Sequence, residues 1–122
     1  MLQKPGRGVV VLATLLAVVM IGGGCSKLAG ESHQVAMFRL VGLPPWFLVL
    51  VGTFEVIGGI LLLVPAMTPV GSLILATIMV GAIWTHVAQA DWIGVGPVTI
   101  LLALFLWIFS RNRGRALQLL GS

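Results

Sequence analysis

Four long apolar runs, separated by clusters of proline, glycine and charge, occupy the chain between residues 8 and 110. The first is uncharged over 8–25 and reaches Lys27, giving a span of 8–27. The second, 46–64, is interrupted by one charge, Glu55. The third, 70–90, holds His86 and Gln89 but no formal charge, and the fourth, 92–110, holds none. The apolar stretches measure 18 to 21 residues. A helix rising about 1.5 Å per residue needs about 20 residues to cross a hydrocarbon layer. No period-two alternation accompanies the runs, so strands of a membrane barrel are not supported. The pattern predicts an all-α fold, an integral membrane four-helix bundle with antiparallel neighbours.

The breaks have physical causes. Pro65 and Pro69 bracket the link between the second and third spans, and each lacks a backbone donor. So short a link predicts a helical hairpin. Pro44 and Pro45 close the first connection just before Trp46, and Asp91, Gly94, Gly96 and Pro97 loosen the last. Two arrangements remain open there: a short fourth helix with Pro97 in its first turn, or a helix from near Asp91 that kinks at Pro97. The outer loop, 29–45, sets Glu31, His33 and Arg39 beside Val35, Met37 and Phe38. That mixture suits a short helix lying in the membrane interface.

Composition narrows the solvent. Of 122 residues, 59% are hydrophobic and 8% charged. A soluble domain averages about 45–50% apolar and about 25% charged, so this chain is neither soluble nor disordered. The +4 net charge is carried mainly at the ends, by Lys4 and Arg7 and by Arg111, Arg113 and Arg115, with only Lys27 and Arg39 between. Nucleic-acid binders instead cluster basic residues on one folded face. Basic ends flanking apolar spans predict both termini on the cytoplasmic side of the inner membrane. Trp46, Trp84 and Trp92 then fall near the outer interface and Trp107 near the inner one. The whole chain, 1–122, reads as one membrane domain ending in a basic cytoplasmic tail, 111–122.

A lone cysteine, Cys25, excludes an internal disulfide and a paired-cysteine redox motif. The basic start, apolar run and Gly-Gly-Gly-Cys25 also resemble a lipoprotein signal. A leucine is usual where the first glycine stands, however, and three more spans follow, so a first membrane span is preferred. Cys25 among glycines reads as a small packing residue, with a reactive thiol as the alternative.

Polar groups inside the spans carry the chemistry. A charge at the bilayer centre costs at least about 2.5–3.5 kcal/mol, so such a residue is usually paired, protonated or turned to a cavity. Glu55 shares its helical face with Gly52, Gly58 and Gly59, small residues that let helices approach closely. It therefore points into the bundle. His86 shares a face with Ala82, again small. By helical rise Glu55 lies about 13 Å and His86 about 6 Å below the outer end. Lys27, at the outer end of the first span, can extend its stem by several ångströms. Lys27, Glu55 and His86 are thus candidates to converge on an intramembrane polar site that handles protons or polarises a ligand. The plainer alternatives are a headgroup anchor for Lys27, a structural acid at Glu55 and a polar contact at His86. His33 and His86 lack the spacing of a metal site, and no phosphate loop, nucleophile triad or haem motif is present.

Taken together, Lys27-Leu28 closing the first span, Gly42-Leu43-Pro44 before the second, Gly52-Thr53-Phe54-Glu55-Val56-Ile57-Gly58-Gly59 within it and His86 in the third resemble the DoxX-like family. The likeness covers roughly residues 10 to 110. The matching positions are Lys27, Gly42, Pro44, Gly52, Glu55, Gly58, Gly59 and His86, and Cys25 departs, since another small residue is usual there. The resemblance implies a four-span bundle in the cytoplasmic membrane. It also implies a non-catalytic subunit of a redox complex linked to quinone or to thiol and sulfur chemistry. No catalytic motif or bound cofactor is evident in the residues themselves. Quinone is the one cofactor the resemblance suggests, and the partners it suggests are redox-complex subunits or further copies of the chain within the lipid bilayer. The alternatives are a small proton-coupled transporter built on Lys27, Glu55 and His86, and a structural or chaperone-like membrane protein.

Overall fold

The computed structural model describes residues 6–121, with side chains as far as Asn112. The charges of Lys4, Arg113 and Arg115 lie outside the described side chains. Among the described residues every regular element is helical: α1 (Arg7–Leu28), α2 (Ser32–Leu40), α3 (Pro45–Leu63), α4 (Thr68–Ala88) and α5 (Trp92–Gly121), with a 3-10 turn, Pro65–Met67, before α4. Four segments are long and apolar enough to cross a membrane: Arg7–Leu28, Pro45–Leu63, Pro65–Ala88 and Trp92–Asn112.

Helix starts follow proline. Pro45 occupies the first turn of α3 and Pro69 that of α4, where a missing N–H costs nothing. Helix ends follow one design used three times. Behind α1, α2 and α4 the chain enters the left-handed region at Gly30 (φ 71°), Gly42 (φ 78°) and Ala90 (φ 54°). In each case two backbone N–H groups turn back onto the last-turn carbonyls. This is the Schellman arrangement, which glycine enters without penalty and alanine does not. The residue after the turn then caps the next helix at two of the three. Glu31 accepts the N–H groups of His33 and Gln34, and Asp91 accepts that of Gly94 at 3.1 Å. Glu31 and Asp91 are therefore both held below the usual carboxylate range, first of all by these backbone donors.

The last connection resolves the two arrangements open at Pro97. The fourth span begins at Trp92, and Pro97 sits inside it. The helix also runs on past residue 110 to Gly121.

In space α1 packs on α3, α3 on α4 and α4 on α5, while α1 and α5 scarcely touch. The core joins Ala17 and Met20 of α1, Leu62 of α3, Leu75 and Met79 of α4, and Phe105 and Ile108 of α5. The outside is apolar too: Val18 is 66% exposed and Ile93 90%. Apolar groups facing outward on all four long helices suit a hydrocarbon solvent, not water.

Glycines set how closely the helices approach. A Cβ at Gly71 of α4 would lie 2.7 Å from the Gly58 carbonyl oxygen and 2.8 Å from the Leu62 nitrogen of α3. One at Gly24 of α1 would lie 2.6 Å from the Gly52 oxygen, and one at Gly59 2.7 Å from Ile21. Both crossings are thus backbone on backbone, the small-residue packing that replaces the hydrophobic drive inside lipid.

At the α3–α4 turn the buried Thr68 hydroxyl reaches back to the carbonyl oxygens of Leu62 (3.0 Å) and Val64 (3.1 Å). A hydroxyl has one proton to share between them. Replacing it by the isosteric valine leaves the Leu62 carbonyl without this donor in an apolar site. Thr68→Val is expected to cost about 1–3 kcal/mol of stability in detergent or lipid. Unfolding of the variant at the wild-type denaturant midpoint would refute this.

Candidate functional site

The site grows from the α1–α3 crossing. Gly24 and Gly52 let the two backbones meet, and a Cβ at Gly52 would lie 2.9 Å from both the Gly24 oxygen and the Lys27 Cβ. Lys27 stands three residues beyond Gly24, and Glu55 three beyond Gly52, so both lie about one turn from the contact. At that spacing Lys27 Nζ reaches Glu55 Oε1 at 2.8 Å. The Lys27 side chain is 13% exposed and that of Glu55 4%. Glu55 is the one acidic residue buried among the described residues. Its second oxygen, Oε2, is turned toward Gly23, where a Cβ would stand 3.2 Å away.

The physics of the pair is that of two charges removed from water together. Each ion alone costs several kcal/mol to desolvate, and mutual attraction repays this only in good geometry. A 2.8 Å contact is the length of a charge-assisted hydrogen bond. The ammonium keeps two further donors and the carboxylate keeps Oε2, so the pair presents donor and acceptor side by side.

His86 takes another partner. Its Nδ1 lies 2.9 Å from Asp91 Oδ2, and among the described residues no hydrogen bond joins it to Lys27 or Glu55. The reason is local. The turn at Ala90 reverses the chain within five residues, so the cap of α5 folds back over the last turn of α4. Asp91 divides its oxygens between His86 and the Gly94 N–H. Gly94 is required there, because a Cβ would run into His86 Nδ1 and lie 2.6 Å from Asp91 Oδ2.

Because its folded-state carboxyl is depressed, the Asp91 cap contributes at and above the ordinary aspartate range and is lost as pH falls through the lowered value. Protection of the Gly94 amide against hydrogen exchange, relative to its intrinsic rate at each pH, should therefore persist down through the ordinary aspartate range and fall only below it. Asp91→Asn, which keeps an acceptor without the titration, is expected to remove that pH step. A step that survives in the variant would assign it to another group.

The remaining sequence candidates scatter. Gly52, Gly58 and Gly59 sit at helix crossings. Ala82 is partly buried, and its carbonyl accepts the Thr85 hydroxyl at 2.8 Å. Cys25 is exposed on α1, away from the pair's side of the helix. Gly71 is not among the sequence candidates: it lies near the start of its span, beside Ser72, where no charge marks it. Aromatic rings gather where α2 meets α3: Phe38 and Phe47 are 6.2 Å apart by centroid, Trp46 and Phe47 5.9 Å. Near the end of the fourth apolar span, Trp92–Asn112, the Arg111 guanidinium stands 5.7 Å over the Trp107 ring. Such amphipathic rings and cations favour the membrane–water boundary.

With this geometry in hand, comparison with known proteins is decisive for the family. The model of the DoxX-like family matches residues 11–109. The chain belongs to the DoxX-like family. Its fold and its four apolar helices make this DoxX-like chain a multi-pass membrane protein in contact with lipid. It is also similar to a Bacillus subtilis (strain 168) protein named "Putative oxidoreductase CatD", with 27% identity over 97 residues, or 80% of this chain and 72% of that one. No solved structure matches the chain significantly.

Proposed function

We propose that this DoxX-like protein is a non-catalytic membrane subunit of a redox complex, and that the Lys27–Glu55 pair is where it meets a quinone-type carrier or a partner subunit. One observation carries the reading: an ion pair 2.8 Å long held inside two membrane spans, where charge is costly and is rarely kept for packing alone. The oxidoreductase name of the Bacillus relative supports the redox assignment. The same proposal includes an antiparallel arrangement with both termini in the cytoplasm, for which the basic flanks argue. The proton-coupled transporter reading needs His86 in contact with the pair. The bond from His86 to Asp91 favours the subunit reading over it.

Tagged protein isolated from its native membrane in mild detergent tests the proposal. Flavin-, haem- or iron–sulfur-bearing proteins in stoichiometric amounts are the expected companions. Isolation of the chain alone, under conditions that keep known membrane complexes intact, would count against it.

A further inference from the structure

A cleft opens at the Arg7 end of the bundle, where the first turns of α1 meet the α3–α4 turn. Val9, Ala13, Leu62 and Thr68 make its buried floor, and Val10 and Thr14 stand on its exposed rim. Its volume is about 50 Å³, far below the roughly 300–1,000 Å³ of a pocket for a drug-sized molecule. The two hydroxyls in it are already committed. That of Thr14 donates to the Val10 oxygen at 2.8 Å, and that of Thr68 donates to the Leu62 and Val64 oxygens. With no hydroxyl proton to offer, these walls suit a narrow hydrocarbon chain, which they hold by dispersion contacts.

Charge indicates what kind of molecule carries that chain. Arg7, Val10 and Thr14 are spaced three and four residues apart, so they share one face of α1, with Arg7 on the outer side of the rim. Arg7 is exposed and makes no ion pair among the described residues. α5 returns to the 3-10 turn beside the cleft, and the exposed Arg111 closes its apolar span at that end. No acid balances these cations. Glu31 follows α1 and Asp91 follows α4, both at the opposite end, and Glu55 is paired with Lys27. α1 itself starts behind Gly6 with no side-chain cap and no acid in its first turn, so its leading N–H groups add donors on the same side.

We infer that this cleft is the docking site of one anionic phospholipid, its acyl chain lying over the floor and its headgroup phosphate facing Arg7. A neutral lipid with the same chains fits the cleft equally but gains less at the basic rim, since surface cations attract anionic headgroups. A free phosphate ester meets the charge and makes no use of the cleft. The site is separate from the Lys27–Glu55 pair. Lys27 stands twenty residues further along α1, about 30 Å away by helical rise. The lipid assignment therefore stands whether or not the pair meets a redox partner.

Native mass spectrometry of the purified full chain in a neutral detergent counts bound lipid as phosphatidylglycerol or phosphatidylcholine is added. Wild type is expected to hold one phosphatidylglycerol more tightly than any further copy, and more tightly than phosphatidylcholine. Arg7→Gln should weaken that lipid about fivefold, the effect of one surface cation. Arg39→Gln, the same change at the opposite end, should leave it unchanged. Val10→Phe, which fills the rim, should remove the tight lipid. Val11→Phe, one residue round the helix and similarly exposed, should keep it. Thr14→Leu, from the same rim, serves if Val10→Phe fails to fold. Glycerol phosphate, a headgroup without chains, should not displace the lipid. Equal affinity for the two lipids, or equal losses in Arg7→Gln and Arg39→Gln, overturns the headgroup assignment. A tight lipid kept by the folded rim variants overturns the cleft as its seat. Displacement by glycerol phosphate overturns the acyl chain as its anchor.

Discussion

Lys27→Met is expected to destabilise the folded protein by about 3–5 kcal/mol, the cost of leaving one member of a buried ion pair without its partner. Glu55 sits mid-helix on a short stem, with 4% of its side chain exposed, so it has no route to water once the ammonium is gone. It must be protonated or remain an unpaired charge, and both are expensive. The reverse change is milder. In Glu55→Leu the ammonium, in the last turn of α1 and already 13% exposed, can swing outward along its flexible stem. The two single variants should therefore differ, with Lys27→Met the worse. The double variant Lys27→Met/Glu55→Leu is expected to recover most of the loss, because apolar replacement of a buried pair is often neutral or stabilising. Reversible unfolding of all four proteins in one detergent measures the cycle. Additive losses, with the double variant worst, would mean that the two residues do not act as a pair.

The second large effect is expected at the crossing that brings the pair together. Gly24→Leu places a side chain where even a Cβ lies 2.6 Å from the Gly52 oxygen and 3.0 Å from the Val56 nitrogen. Gly52→Leu meets the Gly24 oxygen and the Lys27 Cβ, each at 2.9 Å. Overpacking typically costs about 1–3 kcal/mol when neighbours can shift. Here the obstacle is largely backbone, so relief requires the helices to separate and the 2.8 Å Lys27–Glu55 contact to lengthen. Both variants are expected to lose folded protein, and any that survives should also lose the pair's coupling in the cycle above. Gly22→Leu is the matched control, with open space around its Cβ. Equal folded yields for Gly24→Leu and Gly22→Leu would remove the close crossing from the account.

Much of this was legible in the sequence, for identifiable reasons. Four apolar runs give four long helices because helix length is fixed by membrane thickness. The Lys27–Glu55 contact was foreseeable because a lysine at a helix end has reach and an acid flanked by glycines faces another helix. Helical rise alone places His86 in the same cluster, because it ignores chain reversal. Its actual partner, Asp91, becomes visible only through the turn at Ala90, and an alanine in the left-handed region gives no glycine signal. Gly71 escaped for the opposite reason: unlike Gly52 it has no charged residue on its helical face to single it out among the 16 glycines, although it too lies on a neighbouring backbone. The extension of α5 past residue 110 was hidden by its arginines, which mark the end of a span without ending a helix. In each case local pattern predicted the element, and the misses arose where two elements meet.

The account holds that the carboxylate at Glu55 is kept in the membrane for function, beyond any role in packing. Quinol-linked electron transfer in native membranes carrying Glu55→Gln in place of wild type, normalised to folded protein, tests this most directly. The amide preserves size and hydrogen bonding while removing the charge. The account predicts a rate equal to that of membranes lacking the protein, and a rate equal to wild type would contradict it.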